Sequence, residues 1–286
     1  MVSIVRRIVC SVWCLCGIGL LSAQEVQKTD QGVKVSTQGM DVEVKFYSPS
    51  IVRVYKTPEG QPYVNKSLVV TKTPERTPVT FSRDGENVVL KSSDLQVEVN
   101  PLTGGICFYD AKGKQLLLDK DYGTQFIPKN DAGTPSYTVR GSFLLEKDEP
   151  IYGVGQVMDN KLNRRNSVHH LQNENMYTYS PYFMSLKGYA VYWDNYSISD
   201  YVDTPQELSF QSLGHCADYY FMYGGDADGV IAEVRDLTGK APMLPLWAYG
   251  FFQSKERYHT QDESLNVLKK YRQLGVPIDV MIQDWR

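Results

Sequence analysis

The sequence predicts a mainly β protein, with an antiparallel β-sandwich followed by the first βαβ unit of a truncated (β/α)8 barrel. From residue 24 to about residue 223, short apolar runs with a two-residue period alternate with turn residues. This pattern is typical of antiparallel strands in a sandwich. After residue 242 the order changes to an apolar run, a helical period and a second apolar run. That order indicates two parallel strands joined by a helix.

The N-terminal segment has the pattern of an export signal. Arg6 and Arg7 precede an apolar stretch over residues 8–21, and small residues follow up to Ala23. The stretch is shorter than the roughly 20 residues that a membrane-spanning helix needs. We therefore expect a signal peptide over residues 1–23 and a periplasmic or secreted product, with an uncleaved membrane anchor as the alternative.

The sandwich domain is predicted over residues 24–241. The clearest strand patterns lie at 42–46, 95–99 and 219–223, and a hairpin is predicted over 106–118. A short helix follows, because Val230, Ile231, Val234 and Leu237 are spaced to share one helix face before Gly239.

The barrel start is predicted over residues 242–286, after a stiff linker that contains Pro242 and Pro245. Its first strand is predicted within 246–252 and its second within 276–282, and both are expected to be buried on both faces. A complete barrel needs roughly 250 residues.

The helix between these strands is predicted over residues 260–274. Thr260 and Glu263 fit a capping box, and Gly275 is placed to end the helix. The residues expected on its buried face are Leu265, Val267, Leu268, Tyr271 and Leu274.

The candidate site residues follow the two barrel strands. Asp284 and Trp285 come after the second strand, and Glu256, Arg257 and Tyr258 come after the first. Groups at the C-terminal ends of barrel strands bind ligands or catalyse reactions. A lone buried carboxylate is costly unless it is paired or bound, so Asp284 is the strongest candidate. Its alternative role is a cap at the strand end, and Trp285 has packing as its alternative.

Composition and motifs argue against several other functions. The formal charge of −3 gives no basic surface for nucleic acid. The glycine-rich segment 152–156 lacks the spacing of a dinucleotide site and is predicted to form a tight turn. His169 and His170 are predicted in a solvated loop, since no further ligand lies at metal-binding spacing. No cofactor and no metal are expected.

Two cysteines remain once the signal peptide is removed, Cys107 and Cys216. An exported protein can form disulfides, but the sequence leaves open whether these two residues meet.

These segments together resemble glycoside hydrolase family 31, the α-glucosidases and α-xylosidases. The resemblance runs through 152–156, 182–185 and 188–195, and it is most specific over 245–258 and 278–286. It implies a galactose-mutarotase-like sandwich, a catalytic barrel, and an enzyme that hydrolyses O-glycosyl bonds of oligo- or polysaccharides.

The resemblance also implies roles for individual residues. In the family, the aspartate that matches Asp284 hydrogen-bonds the non-reducing sugar, and the loop holding residues 256–258 often supplies an aromatic wall. Gln156 and the segment 283–285 resemble the α-xylosidase branch. A sandwich loop near 172–177 reaches toward the substrate in relatives.

The implied chemistry is retaining hydrolysis by two aspartates, a nucleophile and an acid/base. The resemblance places both on later barrel strands, beyond Arg286, so the chain alone is expected to be inactive. The expected substrates are α-xylosides such as xyloglucan side chains. Three alternatives stay open: an α-glucosidase, a non-catalytic carbohydrate-binding sandwich, and a mutarotase-like epimerase that uses His169 or His170. The oligomeric state is also open.

Overall fold

The computed structural model describes residues 25–37 and 39–285. The predicted signal peptide lies outside these residues. The mainly β prediction is confirmed, since the described residues form nineteen strands, two α-helices and one short 3-10 helix. The chain divides into two compact units between Gly239 and Lys240. Among the described residues, no helix is long and apolar enough to cross a bilayer.

The first unit contains seventeen strands. In chain order they are β1 (Val26–Thr29), β2 (Gly32–Thr37), β3 (Met40–Phe46), β4 (Ile51–Pro58), β5 (Thr80–Asp84), β6 (Asn87–Lys91), β7 (Leu95–Val99), β8 (Ile106–Asp110), β9 (Gln115–Asp131), β10 (Thr134–Leu144), β11 (Ile151–Gln156), β12 (Val168–Leu171), β13 (Thr178–Ser185), β14 (Tyr189–Trp193), β15 (Ser199–Asp203), β16 (Leu208–Gly214) and β17 (Ala217–Tyr223).

These strands form two antiparallel sheets. The eight-stranded sheet has the order β1-β2-β3-β4-β17-β14-β13-β11, and the nine-stranded sheet has the order β12-β15-β16-β10-β9-β8-β7-β6-β5. The main core lies between them. Phe108 of β8 and Phe221 of β17 stack across this core with their ring centroids 4.0 Å apart. The predicted strand alternation is confirmed, because every second residue of β3 and of β7 is buried.

The helix α1 (Ala227–Thr238) covers part of the outer face of the eight-stranded sheet. Asp226 caps its first turn by accepting from the amide of Gly229 at 2.8 Å. Val230 and Leu237 are buried as predicted, but Ile231 is exposed. The helix therefore buries a narrower face than its spacing indicates.

A buried ion pair joins the two sheets inside the core. The Lys56 ammonium on β4 contacts the Asp119 carboxylate on β9 at 2.8 Å, and both side chains are almost inaccessible to solvent. Asp119 also accepts from the amide of Ile106 and the hydroxyl of Tyr219. The carboxylate is thus surrounded by donors, as a buried charge requires.

The glycine-rich segment 152–156 is a strand, so the prediction of a tight turn is wrong. It forms most of β11 and pairs with β13, with a register shift between Gly153 and Gly155. Gly155 has φ +91°, and a Cβ there would lie 2.2 Å from the carbonyl oxygen of Thr178. The glycines permit a bulged strand, which a sequence pattern does not distinguish from a turn.

The two adjacent histidines lie on β12, so the predicted solvated loop is also wrong. Successive side chains of a strand point to opposite faces. His169 is buried, whereas His170 is exposed and its Nδ1 lies 2.7 Å from Asp200. The described residues contain no group of three or more His, Cys, Asp or Glu side chains able to hold a metal.

Cys107 and Cys216 are free thiols, and both are buried. Burial raises the pKa of Cys107 to about 11 and that of Cys216 to about 12. Both thiols are therefore protonated and unreactive at neutral pH.

The second unit contains the predicted parallel pair. It comprises a 3-10 helix (Leu246–Tyr249), β18 (Phe252–Lys255), α2 (Gln261–Gln273) and β19 (Val280–Gln283). The parallel pairing of β18 with β19 is confirmed. The first strand begins later than predicted, because residues 246–249 form the 3-10 helix. An apolar run alone does not separate these two conformations.

The helix α2 begins and ends as predicted. Thr260 accepts from the amide of Glu263, and Gly275 follows the helix with φ +68°. Its predicted buried face is only half-buried, and both Leu265 and Leu274 are exposed. The strands are likewise half-buried to exposed rather than buried on both faces.

Candidate functional site

In the small sheet, all five predicted site residues follow the C-terminal ends of the two parallel strands. Lys255 at the end of β18 lies opposite Gln283 at the end of β19. The loop after β18 and the segment after β19 therefore leave the sheet on the same side. This edge, defined by residues 256–258 and 284–285, is called the strand-end site below.

Tyr258 is the buried residue of this site. It is only 4% exposed. Its hydroxyl accepts from Gln253 Nε2 at 3.2 Å, and its carbonyl accepts from Gln283 Nε2 at 3.1 Å. The hydroxyl of Tyr271 on α2 donates to Gln253 Oε1 at 2.6 Å. Both strands and the helix thus hold Tyr258, an arrangement suited to positioning its loop. Its predicted contact with substrate stays a prediction.

Three of the other four residues of the strand-end site are exposed to solvent. Glu256 and Asp284 are exposed, Arg257 is half-buried, and Trp285 is 74% exposed. Asp284 Oδ1 accepts from the amide of Trp285 at 2.8 Å. The expectation of a buried Asp284 carboxylate is wrong for this structure, because β19 itself is not buried. One carboxylate oxygen accepts from this amide, and within residues 25–37 and 39–285 the other has no hydrogen-bond donor.

A charged cluster fixes the other end of the loop. Lys255 Nζ contacts Glu263 Oε1 at 2.9 Å, and the amide of His259 donates to Glu263 Oε2 at 2.7 Å. These interactions lower the pKa of Glu263, with the His259 amide as the largest cause and Lys255 next. Glu263, the glutamate of the predicted capping box, therefore accepts from the backbone amide of His259 and not from that of Thr260. It connects the loop to α2.

Sequence reasoning missed the residues that support the site. Gln253, Gln283, Lys255 and Tyr271 were not predicted to contact the loop. One signal was present: Gln253 and Gln283 are polar residues within otherwise apolar strand segments. A polar side chain in such a segment usually has a specific hydrogen-bond partner.

The sandwich segments that the resemblance singled out lie in the first unit. Gln156 ends β11, is exposed and pairs with Thr178. Residues 172–177 form the connection between β12 and β13, and the rings of Tyr177 and Tyr179 stack there at 5.7 Å. Residues 172–177 thus form a surface loop. A role of this loop or of Gln156 in substrate binding stays a prediction.

Two family models match the chain, one for each unit. Residues 41–201 match the glycosyl hydrolase 31 N-terminal galactose mutarotase-like domain, and residues 241–286 match the glycosyl hydrolases family 31 TIM-barrel domain. A mutarotase-like sandwich followed by barrel strands defines a glycosyl hydrolase. The chain belongs to family 31 of these enzymes, as its motifs predicted.

Curated relatives include both kinds of enzyme that the motifs indicated. The chain is 34% identical over 258 residues to an alpha-xylosidase of Saccharolobus solfataricus, covering 86% of this chain and 35% of the relative. It is 26% identical over 259 residues to alpha-glucosidase 2 of Bacillus thermoamyloliquefaciens, covering 85% and 32%. The chain thus spans about a third of the length of these relatives.

Solved structures agree with the fold. A family 31 alpha-xylosidase from a soil metagenome, complexed with xylose, has a TM-score of 0.80 at 25% identity and covers 91% of this chain and 41% of its own. The alpha-xylosidase of Xanthomonas citri has a TM-score of 0.83 at 22% identity and covers 91% and 45%. At that identity the second likeness concerns the fold alone.

Proposed function

We propose that the chain is the N-terminal part of an exported, retaining α-glycoside hydrolase that acts on α-xylosides, such as the xylose branches of xyloglucan. The observation that carries this proposal is the 34% identity to an alpha-xylosidase across most of the chain. The basic and apolar order of residues 1–23 supports export. N-terminal sequencing of the exported protein tests this part, and a product that still begins with Met1 contradicts it.

The strand-end site supplies binding groups in this proposal. Asp284 accepts from a hydroxyl of the non-reducing sugar, and Trp285 forms one wall of the pocket. Glu256 and Arg257 are free to contact the ligand from the neighbouring loop. Tyr258 holds that loop in place through Gln253 and Gln283.

The reaction itself needs two further carboxyl groups. In retaining glycosidases a carboxylate attacks the anomeric carbon, and a carboxylic acid about 5–5.5 Å away protonates the leaving group. We propose that later barrel strands of the whole enzyme supply both groups. In that arrangement Asp284 orients the sugar for attack and does not react.

The preference for xylose over glucose requires a steric block. Glucose carries a hydroxymethyl group that xylose lacks, and burying one more methylene is favourable by about 0.8 kcal/mol. A pocket that merely tolerates the group therefore discriminates weakly. Trp285, or a bulky group beside it, is the proposed block. Its support is that Trp285 follows Asp284 directly and is 74% exposed, so its side chain is accessible to a ligand.

Paired kinetics on the whole enzyme test the proposal. We expect a higher kcat/KM for p-nitrophenyl α-xyloside than for p-nitrophenyl α-glucoside. The 286-residue chain, tested as a control, is expected to release no p-nitrophenol from either substrate. A higher kcat/KM for the glucoside would favour the α-glucosidase alternative, for which the 26% identity to alpha-glucosidase 2 is the supporting observation.

A further inference from the structure

A cleft of about 240 Å³ opens in the sandwich beside the loop that follows β14. It is lined by Tyr63, Asn65, Ser136, Asp194, Tyr196 and His215, among others. The cleft is smaller than the roughly 300–1,000 Å³ of pockets that enclose drug-sized ligands. Its size and openness suit one ring of a longer ligand. We call it the Asp194 cleft.

Asp194 lines this cleft, and both of its carboxylate oxygens are buried. The residue is 2% exposed, and neither of its carboxylate oxygens has a hydrogen-bond partner among residues 25–37 and 39–285. Burial raises the pKa of Asp194, and the nearby hydroxyls of Ser67 and Tyr196 oppose this rise without reaching normal hydrogen-bond geometry. Unsatisfied buried acceptors are rare in folded proteins and costly.

The neighbouring carboxylate shows that the lack of partners is specific to Asp194. Asp218 accepts two hydrogen bonds from Arg53 and one from Asn65 at 3.0 Å. The same Asn65 amide also donates to Asp194, but to its backbone carbonyl and not to its carboxylate. The arginine is thus committed to Asp218, and the acceptor capacity of Asp194 is left for another donor.

The walls of the cleft indicate what kind of donor fits. Tyr63 is 42% exposed, and its ring lies 5.4 Å from that of His215. Tyr196 is also exposed and stands beside the carboxylate. Among the residues that the structure describes, no lysine or arginine lines the cleft, which disfavours an anionic ligand. Amphipathic aromatic walls around a hydrogen-bond acceptor suit a neutral ring that carries hydroxyl groups.

A larger groove shares one lining residue, Tyr63, with the cleft. This groove has a volume of about 540 Å³. Its floor is the outer face of β2 to β4, where Lys34, Glu43 and Tyr55 are cross-strand neighbours. A chain of sugar units has room to extend along this face.

We propose that the Asp194 cleft is a sugar-binding subsite that holds an oligosaccharide on the sandwich and shares no residue with the strand-end site. Ring hydroxyls donate to the Asp194 carboxylate, and the Tyr63 ring packs against the sugar. Tyr196 must shift to expose the carboxylate. Its hydroxyl, which now bonds to the backbone of Lys66 and Leu68, is free to rebond. The subsite does not depend on which glycosidic bond the whole enzyme cleaves.

Binding of a xyloglucan heptasaccharide to the purified chain tests the proposal by isothermal titration calorimetry. We expect Tyr63→Ala to weaken binding about 10-fold and Asp194→Asn about 10- to 150-fold, as for loss of a hydrogen bond to a charged group. Tyr122→Ala, which removes another exposed tyrosine outside the cleft, is the matched control and should bind as the wild type does. Asp194→Asn should also keep or raise Tm without ligand, because it removes an uncompensated buried charge.

Three results would overturn the proposal. One is no binding by the wild type at millimolar oligosaccharide, and another is equal binding by wild type and Tyr63→Ala. The third is a rise in Tm with calcium chloride alone that Asp194→Asn abolishes, which would identify a cation site. Tyr63→Ala decides the matter even if Asp194→Asn fails to fold, because Tyr63 is a surface residue. The kinetics proposed for the whole enzyme are independent of all these outcomes.

Discussion

The two units of the chain differ in which segments their polar contacts join and in how far their apolar side chains are buried. In the sandwich, distant segments meet in the core: Lys56 pairs with Asp119, and Trp193 Nε1 donates to Ser212 at 2.9 Å. In the barrel unit, polar contacts lie at both ends of the parallel pair: Tyr258 contacts Gln253 and Gln283, and the amide of Phe251 donates to Asp279. Its apolar residues are largely open, with Leu246 88% and Trp247 55% exposed. The sandwich therefore buries a core of its own, whereas the barrel unit leaves most of its apolar side chains open to solvent.

The largest expected effect breaks the sandwich core. Lys56→Met leaves the Asp119 carboxylate buried without its cation, and such a change costs about 3–5 kcal/mol. We expect a matching loss in the free energy of unfolding, measured by urea titration with hydrogen exchange of β4 and β9 amides. Lys56→Met combined with Asp119→Leu should recover much of this loss, since no charge is then left unpaired. If Lys56→Met alone is as stable as the wild type, the ion pair does not contribute to the stability of the sandwich.

The next prediction concerns the barrel unit and needs the whole enzyme. Asp284→Asn keeps an oxygen to cap the Trp285 amide but removes the charge that would bind a sugar hydroxyl. A hydrogen bond to a charged group contributes about 1.5–3 kcal/mol, so kcat/KM should fall about 10- to 150-fold. Thermal unfolding should be unchanged. Kinetics equal to those of the wild type would show that Asp284 acts only as the strand-end cap.

A smaller effect is expected from the support of the loop. Gln283→Ala removes the hydrogen bond to the carbonyl of Tyr258, which contributes about 0.5–1.5 kcal/mol. Amide exchange of the loop around Tyr258 and His259 should accelerate about 2- to 13-fold, with no change in the sandwich. Gln273→Ala, at the exposed end of α2, is the control. Exchange that is equally fast in both variants would mean that Gln283 does not hold the loop.

The sequence predicted those elements whose pattern is local. Alternation identified β3 and β7, and the capping residues located α2. The strand–helix–strand pattern placed Asp284 and residues 256–258 at the C-terminal ends of two parallel strands. The errors arose where one pattern fits two conformations. An apolar run over 246–252 contains a 3-10 helix, and the glycines of 152–156 form a bulged strand.

Sequence patterns did not predict contacts between residues that are far apart in the chain. Lys56 and Asp119 are 63 residues apart, and Gln283 and Tyr258 are 25 apart. Such pairs depend on sheet order and register, which a single sequence does not specify. The sequence also did not predict the unpartnered carboxylate of Asp194, because the resemblance over 188–195 does not specify which donors lie near that side chain.

The smallest expected effect is a pH dependence of the sandwich that involves His169. Burial lowers the pKa of His169, the charge of Arg164 lowers it further, and Asp159 opposes the change. The unfolded state has a histidine pKa of about 6.5, so below that pH the folded state binds fewer protons than the unfolded one. The contribution of His169 to stability is therefore complete above about pH 6.5. It is lost as pH falls through the folded-state pKa.

Thermal unfolding of wild type and His169→Gln between about pH 7.5 and 5 measures this contribution. Stability of the wild type should decline relative to the variant as pH falls, with a slope of at most about 1.4 kcal/mol per pH unit for one proton. Buried carboxyl groups with raised pKa, such as Asp203 and Asp218, change stability in the opposite direction and cancel in the difference. His170→Gln alters the exposed neighbour that contacts Asp200 and should leave the decline in place. Parallel pH curves for wild type and His169→Gln would show that the buried ring does not titrate differently on unfolding.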